Sequence, residues 1–357
     1  MTFDNTQSEE LGRQQGQLSA VFNSPFGLGE SISLFGLARP TIKGMKGTGL
    51  DTPIRAGGVS VSVPIGHNGL TAGVSYMESM TRPGGAASSL ALEANMKSAT
   101  GTISYPIHYS RNTAAFLRAS LGWTDEVQHT NTSGEDEDLS HDRVTTLRFG
   151  ASVNQCKSGC LGLDFQFSRG IDVGSRSHNE AGNGTPLSRS EGKTNFSHFN
   201  FNTNYKFSPV DNYEVDLNAG GQYSLDDLLN SEQTSITGSN KLSGFTSGSI
   251  SGDEAWYIRG QLNRNYNVSN QIKLTPYVYG AAGVAYTLSP TAVEERATAA
   301  KSIGLGMKFQ GLDKLFFQKT ISGKVEYSKN WATGKLEDLS DVRLRKQHLL
   351  VLLAMNF

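Results

Sequence analysis

Apolar residues recur at every second position through most of this chain, and no segment sustains a helical period. Residues 114–124 set Ala115, Leu117, Ala119, Leu121 and Trp123 on one face and Arg118, Ser120 and Thr124 on the other. Thr145–Asn154 and Leu161–Arg169 repeat the scheme, with Leu147, Phe149, Phe165 and Phe167 opposite Arg148, Asp164 and Gln166. In Ser197–Phe207, Phe199, Phe201, Tyr205 and Phe207 oppose His198, Asn200, Asn202, Asn204 and Lys206. Beginning at Phe3–Thr6 and ending at Leu349–Phe357, about sixteen such strands can be drawn.

The connections narrow the choice further. Short turns (FNSPFGLGE, PIGHNG, PIHYSRN, QCKSGC, SPVDN, NYNVSN) alternate with long polar segments near 40–54, 81–95, 125–143, 171–192, 225–254, 287–297 and 332–345. A soluble sandwich has no reason to collect its long loops at one end. A barrel of the bacterial outer membrane has short periplasmic turns, long external loops and an even strand number. Sixteen strands also enclose a lumen too wide for side chains to fill. One face carries Asn, Gln, Arg, Lys and Glu on strand after strand, which suits a watery interior, while the aromatic and aliphatic face suits lipid. The expected fold is all-β, a closed antiparallel transmembrane barrel spanning residues 1–357 and lying in the outer membrane of a Gram-negative cell. The longest apolar run, Leu349–Met355, is far too short for a membrane helix, which needs roughly 18 residues. No charged and apolar leader opens the chain, so no signal peptide is read in it. A net charge of −1 over 357 residues argues against a nucleic-acid partner.

Few residues suggest chemistry. The seven histidines show no metal-binding spacing. Gly192-Lys193-Thr194 ends like a phosphate loop, but Leu187 stands where the motif needs glycine and a strand follows. The acidic run 135–138 lacks the glycine and spaced ligands of a calcium loop. Glycines 27, 29, 304 and 306 mimic a dinucleotide fingerprint without a helix behind them, and they suit bends and close contacts within a barrel. No nucleophile, base and orienting group can be assembled, so neither an enzyme nor a cofactor is expected. Cys156 and Cys160 flank a tight turn, where a disulfide in an oxidising compartment and two free thiols both remain open.

One segment stands apart. Residues 225–254 form a Ser/Gly-rich stretch, LDDLLNSEQTSITGSNKLSGFTSGSISGDE, between two clean strands. Loops of this length in a compact β array are uncommon and usually functional or disordered. With the following AWYIRGQL, the stretch resembles the sixth loop and next strand of two-partner secretion transporters of the haemolysin secretion/activation (ShlB/FhaC/HecB) type. In that family an S-E-Q segment leads to a G-x-x-x-V-R-G-[FY] tip and then S-G-D. FDNTQSEELGRQQGQLSAVFNSPFGLGES, VSVPIGHNGLTAGVSY and GTISYPIHYSRNTAAFLRASLGW resemble its first strands and hairpins, in family order along nearly the whole chain.

The resemblance implies a sixteen-stranded barrel that exports one large, extended exoprotein, with the sixth loop folded into the lumen. It also implies preceding POTRA domains, of which no sequence is present here. The C-terminal strand, with Leu353, Met355 and the terminal Phe357 in one register, resembles the signal read by the barrel-assembly machinery. Lipid bilayer and lipopolysaccharide complete the expected partners. Arg118, Arg148, Asp164, Asn200, Asn202, Arg259, Lys324 and Glu326 are expected to line the lumen and hydrate or transiently bond a passing backbone.

The tip departs from the family. It reads Leu242-Ser243-Gly244-Phe245, with Ser243 in place of the family's arginine. That arginine pairs with an inward aspartate of an F-x-D-x-G motif, whose counterpart here is Tyr279-Gly280-Ala281-Ala282-Gly283, with Ala281 in the aspartate's place. Losing both partners avoids the roughly 3–5 kcal/mol cost of one uncompensated buried charge. The loop is therefore expected to be held by Phe245, glycine-permitted turns and hydrogen bonds, without a buried ion pair. A passive diffusion pore and an outer-membrane protein insertase are the alternative functions.

Overall fold

In the computed structural model, residues 1–7, 11, 13–39, 53–83, 91–131, 137–176, 184–269, 271–292, 294–313, 319–333 and 346–356 are described. The main sheet has 17 segments, which make sixteen strands because Glu254–Arg264 and Tyr266–Ser269 are one strand interrupted at Asn265. In order these are β1 (Thr2–Asp4), β2 (Gln15–Asn23), β3 (Ser31–Ala38), β4 (Ile54–Ile65), β5 (Leu70–Thr81), β6 (Leu92–Tyr109), β7 (Thr113–Thr130) and β8 (Glu137–Cys156). They continue with β9 (Gly159–Ile171), β10 (Ser197–Phe207), β11 (Tyr213–Ser224), β12 (Glu254–Ser269), β13 (Ile272–Tyr286), β14 (Ala297–Asp313), β15 (Lys319–Ala332) and β16 (Gln347–Asn356). Each strand pairs antiparallel with the next, and β1 pairs with both β2 and β16, which closes the barrel. The closing seam is narrow: β1 contributes only Thr2, Phe3 and Asp4, set against Leu352–Ala354 on one side and Gln15–Gln17 on the other.

Alternation sorts the two faces as expected. Leu121, Phe149, Phe165, Ile258 and Leu305 are each more than half exposed on the outer wall, where lipid rather than water is the solvent. Their strand neighbours Gln261, Asn263, Ser302 and Glu326 face inward and are buried. Two inward glycines have a specific cause. A Cβ on Gly304 or Gly306 would meet the Tyr279 or Tyr277 ring at 2.5 and 2.4 Å, so glycine lets both rings lie flat on β14.

Four local expectations change or resolve. The segment 125–143 is not a long loop: β7 and β8 run on as a hairpin whose last pair is Thr130–Glu137. Cross-strand charges favour that extension, since Asp125 takes the Arg143 Nε–H at 2.6 Å and lies 3.2 Å from His141 Nε2. Of the acidic run, Glu137 and Asp138 are strand residues, and 135 and 136 lie outside the described residues. Cys156 and Cys160 are directly paired across the β8–β9 turn and joined by a disulfide. Leu353 and Met355 lie on β16, and Phe357 lies outside the described residues.

Candidate functional site

Residues 225–253 leave β11 and return to β12 through the interior of the barrel. Glu232, on a short 3-10 turn, reaches Arg148 on β8 and His198 on β10. Ser243 and Gly244 reach Glu326 and Asn330 on β15. A two-residue ladder, Thr234–Ser235 with Ser251–Gly252, folds the segment back on itself. Ile236, Leu242, Phe245 and Ile250 then form a buried cluster with inward Ala255, Tyr277, Tyr279, Ala281, Ala285 and Ala300. A loop this polar in sequence therefore carries its own apolar side, and the small wall residues leave room for it.

The tip sits on an ion pair that belongs wholly to the wall. Arg259 Nη2 donates to Glu326 Oε2 at 3.1 Å and to Gln261 Oε1 at 2.9 Å, and the guanidinium lies 3.6 Å above the Tyr279 ring. Tyr277 donates its hydroxyl to Glu326 Oε2 at 2.7 Å. Into this arrangement the loop places a neutral hydroxyl: Ser243 Oγ donates to Glu326 Oε1 and accepts from Arg259 Nη1 at 2.6 Å. Gly244 follows against Asn330, which donates to its carbonyl at 2.6 Å. A Cβ there would fall 1.8 Å from Asn330 Oδ1, so a larger residue must push the Asn330 side chain out of its place. Lys324 Nζ holds the Ser239 carbonyl at 3.1 Å, and the Ser247 amide donates to the Thr6 carbonyl at 3.0 Å, beside the closing seam.

The stem is held differently. Arg148 Nη2 donates to both Glu232 oxygens, at 2.7 and 2.9 Å, and His198 Nε2 lies 3.2 Å away. Burial pushes the Glu232 carboxyl up, but the His198 hydrogen bond and the Arg148 charge together hold it below its usual range. Asp253 is fully buried. It accepts from Arg189 at 2.6 Å, from the Leu228 and Leu288 amides at 3.1 and 2.9 Å, and from Gln233 at 3.3 Å. Gln222 bonds the carbonyls of Glu232 and Asp253, each at 3.0 Å. Leu228 and Leu229 close the stem with Val144, Leu187 and Phe196, so the β9–β10 connection roofs it over.

Two expectations are corrected here. The loop is held by buried ion pairs after all, Arg148–Glu232 and Arg189–Asp253, both at the stem. At the tip, Ser243 and Ala281 are indeed uncharged, but the wall supplies Arg259–Glu326 nearby. Arg259 and Glu326, expected to hydrate a passing chain, are 2% and 1% exposed beneath the loop and face no open water. Arg118 and Asp164 pair with each other. Asn200 donates to Gln222 at 2.6 Å, and Asn202 accepts from Tyr257 at 3.3 Å. Asp253 and Glu232 stood in the S-G-D and S-E-Q segments, but Arg189, Gln222, Tyr277 and Asn330 carried no signal that spacing could expose.

The geometry defines a class: a closed sixteen-stranded antiparallel barrel of the outer-membrane type whose segment 225–253 folds into its interior. Residues 1–308 match the family described as Haemolysin secretion/activation protein ShlB/FhaC/HecB, and the chain belongs to that family. Among solved structures it is similar to CdiB from Escherichia coli, with a TM-score of 0.79 at 16% identity over 99% of this chain and 61% of that one. CdiB from Acinetobacter baumannii gives 0.69 at 16%, over 99% and 58%. BamA from Haemophilus ducreyi, lacking POTRA domains 1–3, gives 0.59 at 12%, over 99% and 69%. The chain thus spans about three-fifths of the length of either CdiB. No curated sequence matches it.

Proposed function

We propose that this protein exports a large, extended partner polypeptide through its lumen, with residues 225–254 as a plug whose tip withdraws. The family supports the reading, and one observation carries it. The tip residues Leu242–Phe245 bring no charge to the Arg259–Glu326 pair, which is complete without them, and the neighbouring Lys241 bonds the loop's own Ser235 carbonyl, so its charge leaves with the loop. A plug built this way can leave without stranding a buried charge on either side. No catalytic step enters the reading. The terminal strand with Leu353, Met355 and Phe357 would be read by the barrel-assembly machinery, and the apolar wall would meet bilayer lipid and lipopolysaccharide.

Locking the tip tests the proposal. With Gly244→Cys and Asn330→Cys joined in the full-length transporter, partner secretion should stop and should return on reduction. Secretion at the normal rate with the crosslink intact would sink the plug reading. The narrow seam favours a second reading, an insertase that passes strands between β1 and β16. A crosslink between Phe3→Cys and Leu353→Cys should block insertion but leave secretion untouched. The docked loop speaks against an open diffusion pore, which would show large steady single-channel currents.

A further inference from the structure

The outer wall carries two sets of charged residues near the long-loop end, and they differ in balance. On β5–β8, Glu78, Lys97, Asp125 and Arg143 stand in one cross-strand row, acid alternating with base. Tyr76, Ala99 and Trp123 form the next row toward the apolar band. A groove of about 870 Å³ opens there, lined by Gly57, Val59, Tyr76 and Met80. On β14–β15 the pattern is different. Lys301 stands directly across from Trp331, and Lys329 precedes Trp331 by two residues on the same outward face. The two ammonium groups lie 5.7 and 5.4 Å from the centre of this one indole ring. Among the described residues, neither lysine makes an ion pair.

Two like charges converging on one ring, with no carboxylate paired to either among the described residues, repel each other in a medium that screens poorly. Their height explains how such a pair can persist. Ile303, Leu305, Tyr327 and Leu349 continue the same face downward and are 56%, 60%, 44% and 54% exposed, as expected of the lipid-facing band. The lysines therefore sit at its outer edge, where lipid phosphates lie. Beside them Gly280 faces open space, a shallow trough in which an acyl chain can run. We propose that Lys301, Lys329 and Trp331 bind the phosphorylated headgroup of outer-leaflet lipopolysaccharide. The lysines contact phosphate oxygens and the indole lies against the sugar. The inference rests on the outer-membrane placement and not on the export reading.

The chain has three tryptophans, so replacing Trp123 and Trp256 by Phe leaves Trp331 as the reporter. Titrating that protein in detergent with lipopolysaccharide should shift its emission saturably. Lys301→Gln with Lys329→Gln should weaken binding about tenfold or more, whereas Lys301→Arg with Lys329→Arg should retain it. Unchanged heat-dependent gel mobility will show that each variant is folded. Equal affinity in the Gln variant overturns the site. An equal response to enzymatically dephosphorylated lipopolysaccharide overturns the role of phosphate. Saturation by inorganic pyrophosphate alone at similar concentration, or by phosphatidylglycerol vesicles, overturns the commitment to this lipid. If the Gln variant loses lipid but still secretes the partner, the two readings separate, as expected.

Discussion

The stem and the tip of one loop, residues 225–254, are anchored by opposite strategies. At the stem the loop brings the acids, Glu232 and Asp253, and other segments bring the bases, Arg148 and Arg189. Pulling the stem away would leave a buried charge on each side. At the tip the wall holds both partners, Arg259 and Glu326, and the loop meets them with neutral groups: the Ser243 hydroxyl, the Ser239, Lys241 and Gly244 carbonyls, and Phe245. Pulling the tip away exposes a polar site that water can satisfy. The same segment is thus held by ion pairs at its base and by neutral groups at its end, which is the arrangement the proposed hinged plug requires. An unhinged plug would have to break buried ion pairs at every opening.

The largest expected effect breaks the stem. Asp253→Ala strands Arg189 and removes the acceptor of two backbone amides, so the loss of stability is expected at about 3–5 kcal/mol. A lowered denaturation midpoint on heat-modifiable gels would show it, and a change below about 1 kcal/mol would erase the contrast between stem and tip. Glu232→Gln should cost less, about 1.5–3 kcal/mol, because it keeps a hydrogen-bonding side chain in place. Its carboxyl is held below the ordinary value of 4.5. The pair's contribution is therefore complete above that pH and is lost as pH falls through the folded-state value. Acidification below pH 4.5 should loosen the wild-type stem and leave the Gln variant unchanged, as proteolysis within 225–254 would report.

The fold was legible in the residues because its cause is local. Each strand declares its own two faces, and Phe199–Phe207 or Ala115–Trp123 needs no partner to be read. The long loop and its tip residues Ser243, Gly244 and Phe245 were equally visible, because the family spacing marks them, while Glu232 and Asp253 lie in the S-E-Q and S-G-D segments with nothing in the pattern to give them a role. Their partners were hidden, since contact between Glu232 and Arg148 depends on how the loop crosses the lumen. The pair beneath the tip was hidden for the same reason. The pattern recorded that Ser243 and Ala281 are neutral, but Arg259 and Glu326, 67 residues apart, meet only when β12, β13, β14 and β15 stand side by side.

A third test displaces the tip alone. Gly244→Val drives side-chain atoms into Asn330, so the tip should leave its seat while the stem pairs hold. The stability loss is expected at about 1–3 kcal/mol, the usual cost of overpacking. Planar-bilayer recordings should change from low, flickering currents to larger sustained ones. Unchanged conductance would mean that the tip does not obstruct the lumen.

The smallest effect is the most discriminating. Ser243→Ala removes one hydroxyl that bonds both members of the wall pair. If the tip were essential to Arg259–Glu326, the change would resemble the breaking of a buried ion pair. The arrangement argues otherwise, because Glu326 keeps Tyr277 and Arg259, and Arg259 keeps Gln261 and the Tyr279 ring. The expected loss is about 1 kcal/mol, the usual net value of a buried hydrogen bond. A double-mutant cycle with Glu326→Gln should give only weak coupling, measured as the shift in denaturation midpoint. Coupling above about 3 kcal/mol would show that the tip completes the ion pair rather than resting on it, and the case for a releasable tip would fall with it.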